Sequence, residues 1–274
     1  MNALALAGQD RRRTALARLR ADDPVLTACG LACLLTGAVT LALSLVDGRL
    51  IDAAFVWTKP AKFFVSVGLY ALTFAWFAGY VRPDHRRSRS LRTGRFLLVA
   101  AGGFELGYIT LQAAQARTSH FNDGDSLHAV LYALMGVMAL TLLAAKIPLA
   151  IAVAVRPRFG LEPSLRLAVV LGLAMTVVLG AATGIALSAN RGHAVGPIGA
   201  AWPLLGWNRA GGDLRIAHFL GMHGEQVVPL AAAAFIALGL SRRRVLVTLA
   251  ACLLCSVIAG AWIQAGRGLA FPFG

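Results

Sequence analysis

The chain has 274 residues, 58% of them hydrophobic and only 14% charged, with a formal charge of +14. Soluble domains carry about a quarter charged residues, so a chain this apolar needs lipid as its solvent. The cations do not point to nucleic acid, because Lys and Arg lie in short clusters between apolar stretches, as topology signals do.

Residues 1–23 form a basic segment with Arg11, Arg12, Arg13, Arg18 and Arg20, then Asp22 and Asp23. No short apolar core with a cleavage motif stands there, so no removable signal peptide is expected. Residues 2–20 read either as an amphipathic helix on an anionic leaflet or as a basic tail. A bilayer core of roughly 30 Å needs about 20 apolar residues of helix. Seven such stretches are expected, over about 24–46, 61–81, 97–116, 127–154, 165–187, 214–240 and 244–265. The expected fold class is therefore an all-α membrane protein, with a single seven-helix transmembrane domain over 24–274. Asp23 is placed to cap the first helix, and Pro24 suits its first position. With the N-terminus in the cytoplasm, seventeen Lys and Arg fall on that side and eight on the other. That bias predicts a cytoplasmic N-terminus and an extracytoplasmic C-terminus. Lys146 lies within the fourth stretch and counts for neither side.

Cys29, Cys33, Cys252 and Cys255 all fall inside apolar stretches, so a disulfide framework is not expected. The CxxC spacing of 252–255 reads as helix packing. Gly180 and Gly184 form a GxxxG that suits close helix approach.

In this topology the polar residues gather in the outer half of the membrane, where they are costly and tend to face a cavity. In the second stretch Lys62, Ser66 and Thr73 share a face. Lys62 is either a cation facing a cavity, even half of a Ser–Lys pair, or a lysine snorkelling to headgroups. In the third stretch Glu105, Tyr108, Gln112, Gln115 and Ser119 fall within about an 80° arc and extend roughly 20 Å along the axis. Such a stripe either lines a channel or bonds neighbouring helices. Arg117, His120 and Asn122 follow. The long connection over 188–213 carries His193 and two interfacial tryptophans and is placed to lid a site.

The sixth stretch opens Asp213-Leu214-Arg215 and continues through His218, Met222, His223, Glu225 and Gln226. Asp213 can cap it. His218 and His223 are five apart, about 140° around a regular helix, so they cannot easily clamp one metal ion. Pro229 cannot bond back to the Glu225 carbonyl, which predicts a kink below these residues. Arg117, Arg191, Arg215 and Arg267 make an electropositive outer mouth suited to an anionic small molecule or lipid headgroups.

Four stretches resemble a family of uncharacterised bacterial multi-pass membrane proteins. They are Trp57 through Phe63, Gln112 to Asn122, Gly192 through Gly196, and Gly211 through Gln226. The resemblance spans roughly 57–226. It implies residence in the bacterial inner membrane and brings no activity. Glu225 stands where the resemblance implies an apolar residue, so His218 and His223 carry more weight as site residues.

Three readings stay open. The first is a metal or haem protein, with His120, His193, His218 and His223 as ligands and redox or hydrolytic chemistry. No CxxCH exists, which excludes c-type haem. Glu105, Asp213 and Arg215 would be the catalytic groups, and Lys62, Tyr108, Gln112, Gln115, Arg117, Asn122 and Gln226 the ligand-binding ones. The second is a small-solute or proton-coupled transporter using the same stripe and histidines. The third is a structural or assembly protein whose polar residues only fix helix register.

Overall fold

The computed structural model describes residues 14–51, 54–202 and 205–271. Arg11, Arg12 and Arg13 of the basic segment lie outside the described residues. A short α1 (Ala15–Asp22) leads to the first long helix, α2 (Pro24–Leu43). The Asp23 carboxylate caps α2 by accepting from the Leu26 N–H at 3.1 Å, and Pro24 takes its first turn. A hairpin of β1 (Leu50–Ile51) and β2 (Ala54–Phe55) turns the chain into α3 (Thr58–Ala78). That helix starts before the expected 61, so Lys59 and Pro60 sit in its first turn. Proline is tolerated there because the first N–H groups of a helix have no internal partner.

Next comes α4 (Arg89–Ala114), eight residues earlier in onset than the apolar pattern implies. Ser88 caps it by accepting from the Leu91 N–H, and three arginines ride its first two turns. The expected fourth helix is interrupted, as α5 (Ser126–Ala144) and α6 (Ile147–Val155). Pro148 has no N–H to return to the Ala144 carbonyl, and the break falls at Ala145 and Lys146. After α7 (Pro163–Ala189), β3 (Ala194–Val195) pairs antiparallel with β4 (Gly212–Asp213). The sixth stretch is α8 (Leu214–Met222) and α9 (Gly224–Ala237), meeting at 56°, and α10 (Arg243–Gly266) follows.

Among the described residues, six helical stretches are long and apolar enough to cross a membrane: α2, α3, α4, the α5–α6 run, α7 and α10. The bent α8–α9 pair makes a seventh if it is one span. The bend corrects the expected kink below Glu225. It falls above, at His223, where Gly221 and Gly224 lie against the backbone of α7. A Cβ at Gly172 of α7 would stand 2.8 Å from the Gly224 carbonyl oxygen. Gly180 and Gly184 continue this seam, against Met222 and His218. Gly30 and Gly37 pack on α3 in the same way, Gly30 against Leu72 and Gly37 against Val65, so α2 and α3 run antiparallel.

The outer surface is apolar: Leu35, Leu230 and Leu253 are 68%, 68% and 66% exposed, while Lys146 and Glu225 are buried. One apolar core joins Leu26, Phe74, Leu98, Leu149 and Leu173; a second joins Val228, Val247, Leu254 and Ile258. One end of the bundle, here the arginine end, is laced by Arg86 to Asp22 at 2.5 Å and by Arg95 to Asp23. Backbone bonds Arg82 N–H to Arg156 O (2.9 Å) and Arg158 N–H to Tyr80 O (2.7 Å) close it. The opposite, histidine end carries Trp57, His120 and Asp213.

Candidate functional site

Among the described residues, polar side chains gather in three places. The deepest lies where the two interrupted stretches meet. Lys146, at the α5–α6 break, donates to Glu225 Oε1, two residues past the α8–α9 break; their side chains are 1% and 0% exposed. The Lys146 ammonium also stands 3.1 Å from the centre of the Tyr70 ring, a cation–π contact. Tyr70 Oη donates to the Met222 carbonyl at 2.8 Å. Thr176 Oγ1 accepts from the Glu225 N–H at 2.9 Å and donates to the same Met222 carbonyl at 3.4 Å. The backbone groups freed by the bend are thus answered by α3 and α7, which allows a broken helix inside an apolar bundle. Gln226 Nε2 donates to Glu225 Oε1 and to Thr73 Oγ1, each at 3.1 Å, and Gln226 Oε1 pairs with His223 Nδ1 at 3.2 Å. Glu225 Oε2 has no partner among the described residues.

The second set lies on α4 toward the histidine end. Glu105, Tyr108 and Gln112 are 5%, 7% and 3% exposed. Glu105 Oε1, Tyr108 Oη and Gln112 Oε1 have no hydrogen-bond partner among the described residues. Each such atom costs about 1–3 kcal/mol when left dry. Above them, Lys59 Nζ and Ser119 Oγ flank His120 Nδ1 at 3.1 and 3.2 Å, and Phe63 meets the imidazole edge-on at 5.6 Å. The Lys59 charge acts on both Glu105 and His120. Burial holds the His120 imidazole well below its ordinary 6.5, and the nearby Lys59 and His218 charges add to this. The expected five-residue stripe is three residues long on the helix. Gln115 is an exposed C-cap, because α4 ends at Ala114 and Ala116 turns at φ 53°. Ser119 stays buried, in the loop.

The third set frames the 190–213 connection. The Asp213 carboxylate accepts from the Arg215 N–H and Nε (3.0 and 2.9 Å) and from the Asn208 N–H (2.8 Å), and it caps α8. It is a structural hub bonded through both carboxylate oxygens. Arg215 Nη2 donates to the Gly206 carbonyl at 2.6 Å, and Lys62 Nζ to the neighbouring Leu205 carbonyl at 3.3 Å. Two cations from different helices therefore converge on consecutive carbonyls of the loop. Of the other mouth arginines, Arg191 pairs with Asp123, and Arg117 and Arg267 are exposed. Asn122 Nδ2 donates to the Thr118 carbonyl at 2.9 Å and serves its own turn.

The four histidines do not assemble. His193 is exposed on the β3 approach, its carbonyl accepting from the Leu214 N–H. His218 faces α7, with Nδ1 3.0 Å from Thr183 Oγ1, and lies near His120. His223 turns with the break to Gln226. Among the described residues no three His, Cys, Asp or Glu form a group that could hold a metal ion. Sequence reasoning missed the Lys146–Glu225 pair, having set Lys146 aside and discounted Glu225. The available signal was the presence of one unmatched cation and one unmatched carboxylate in two apolar stretches, each of which needs an opposite charge. Searches against protein-family models, curated proteins and solved structures found no match.

Proposed function

We propose that this chain is a seven-span, proton-coupled carrier of a small anionic solute in a bacterial inner membrane, with the N-terminus cytoplasmic and the histidine end outside. The carrying observation is the buried Lys146–Glu225 pair at the meeting of two interrupted stretches. Transporters place coupling sites at broken helices near the bilayer midplane, and buried carboxylates there mark proton relays. At 1.5 Å per residue, Lys146 lies about 30 Å along its stretch from Ser126 and about 14 Å from Val155, away from both ends of the helical run. An anionic solute suits the Lys62 and Arg215 cations that converge under the 190–213 loop. A proton on Glu225 would release Lys146, and the solute charge could then take the carboxylate's place as its partner. The metal-centred reading has less support, because among the described residues no three His, Cys, Asp or Glu gather where they could share an ion.

The test is proton movement in liposomes loaded with a pH-sensitive dye. Wild-type protein would be challenged with phosphate, sulfate, succinate and glutamate. At least one anion is expected to drive proton uptake in wild type and not in Glu225→Gln. No proton movement with any of the four, in protein that melts cooperatively, would overturn the reading. Impermeant labelling of single cysteines placed at Arg87 and Asp123 checks the orientation: only the latter is expected to react from outside.

A further inference from the structure

Three unanswered polar atoms on one face of one helix need a common explanation. Glu105, Tyr108 and Gln112 span about two turns of α4, and all are more than nine-tenths buried. Native interiors leave few polar atoms without partners, and those that remain are usually met by water. The neighbours are ordered along the same line. At the histidine end stand His120 and Lys59, with Phe63 against His120. Phe63 also borders the cluster of Tyr108, Ile109 and Met135. One turn beyond Glu105, Ala101 packs in one cluster with Tyr70, whose ring holds Lys146. The face therefore runs from His120, past the three unpartnered atoms, to the ion pair.

We propose that the 112–108–105 face of α4 is a file of bound water that opens at the histidine end and delivers protons to the Lys146–Glu225 pair, with Glu105 as the intermediate proton carrier. Glu105 takes a proton from water on the His120 side and passes it to water on the Tyr70 side, ending with the charge it began with. Gln112 and Tyr108 hold the file by accepting from, or donating to, its waters. The delivery role rests on the carrier reading; the wetness of the face does not.

Radiolytic hydroxyl-radical footprinting of the intact, unaltered protein tests the wetness, because radicals form from water beside the side chain that they oxidise. Met135 is 2% exposed and belongs to the Tyr108 cluster, while Met175 is 9% exposed and sits in the apolar core of α7–α10. Surface exposure alone predicts faster oxidation of Met175. A water file predicts the reverse, with Met135 oxidised several-fold faster than Met175. Equal rates, or the order that exposure predicts, would overturn the proposal. In the liposome assay Glu105→Gln is expected to slow proton uptake about a hundredfold while leaving the oxidation of Met135 unchanged. Unchanged uptake in Glu105→Gln would remove Glu105 as carrier. No uptake in wild type, with Met135 still oxidised, would remove the carrier reading and leave a wet face.

Discussion

The junction and the α4 face are both buried and polar, and they are finished differently. At the junction Lys146 is matched by Glu225 and a tyrosine ring, and the bent backbone is tied by Tyr70 and Thr176. On α4, three side chains of comparable burial leave an oxygen each without a partner among the described residues. Charge paired with charge ties a bent stretch to one interrupted at a proline; polarity left open on a third helix leaves room for something that moves. The first should dominate stability, while the proposed transport needs both.

The largest expected effect tests the pairing. Glu225→Ala leaves Lys146 uncompensated and should cost about 3–5 kcal/mol in detergent unfolding, whereas Lys146→Met combined with Glu225→Leu should recover most of that loss. A double variant as unstable as the single one would mean that the two charges do not answer each other. A smaller loss is expected at Gly212, where an added Cβ would stand 2.0 Å from the Ala265 carbonyl oxygen. Gly212→Ala should push β4 from α10 and cost about 1–3 kcal/mol, read as a lower melting temperature.

The pH dependence sharpens the contrast, because His120 lies outside the spans. Its folded proton affinity is depressed below 6.5 by burial, then by Lys59 and His218. Below that pH the unfolded chain binds a proton that the folded chain does not, so stability falls as pH drops from about 6.5 and is unaffected above it. His120→Gln should flatten the melting profile between about pH 6.5 and 5 relative to wild type, by up to 1.4 kcal/mol per unit. The smallest effect belongs to Arg191 and Asp123, which pair while 78% and 49% exposed. Asp123→Asn should change stability by under about 1 kcal/mol.

The helical stretches were legible because lipid demands long apolar runs. Asp23, Pro24 and Asp213 announced their caps for local reasons. The early start of α4 was hidden because its first turns are arginine-rich, and charge was taken for loop. The Glu105, Tyr108 and Gln112 face was legible from helical spacing, since side chains on one turn share one direction whatever surrounds them. The partnership of Lys146 with Glu225 was not, because 79 residues separate them and only the folded bundle brings the two breaks together. The separation of His218 from His223 was legible from helical rotation, whereas the places of His120 and His193 relative to them were hidden, because both lie in connections whose paths only the fold sets.

Tyr70 serves both interrupted stretches, its hydroxyl on the Met222 carbonyl and its ring under the Lys146 ammonium. One rigid ring is thus a crank between two hinges. If Lys146 withdraws, the ring face loses its load and is free to turn; if the bend at His223 straightens, the hydroxyl is dragged and the ring tilts away from the ammonium. Through this one side chain the two breaks share a contact, so a change at Tyr70 should be felt at both. Tyr70→Phe cuts the linkage at a single oxygen and leaves both hinges in place.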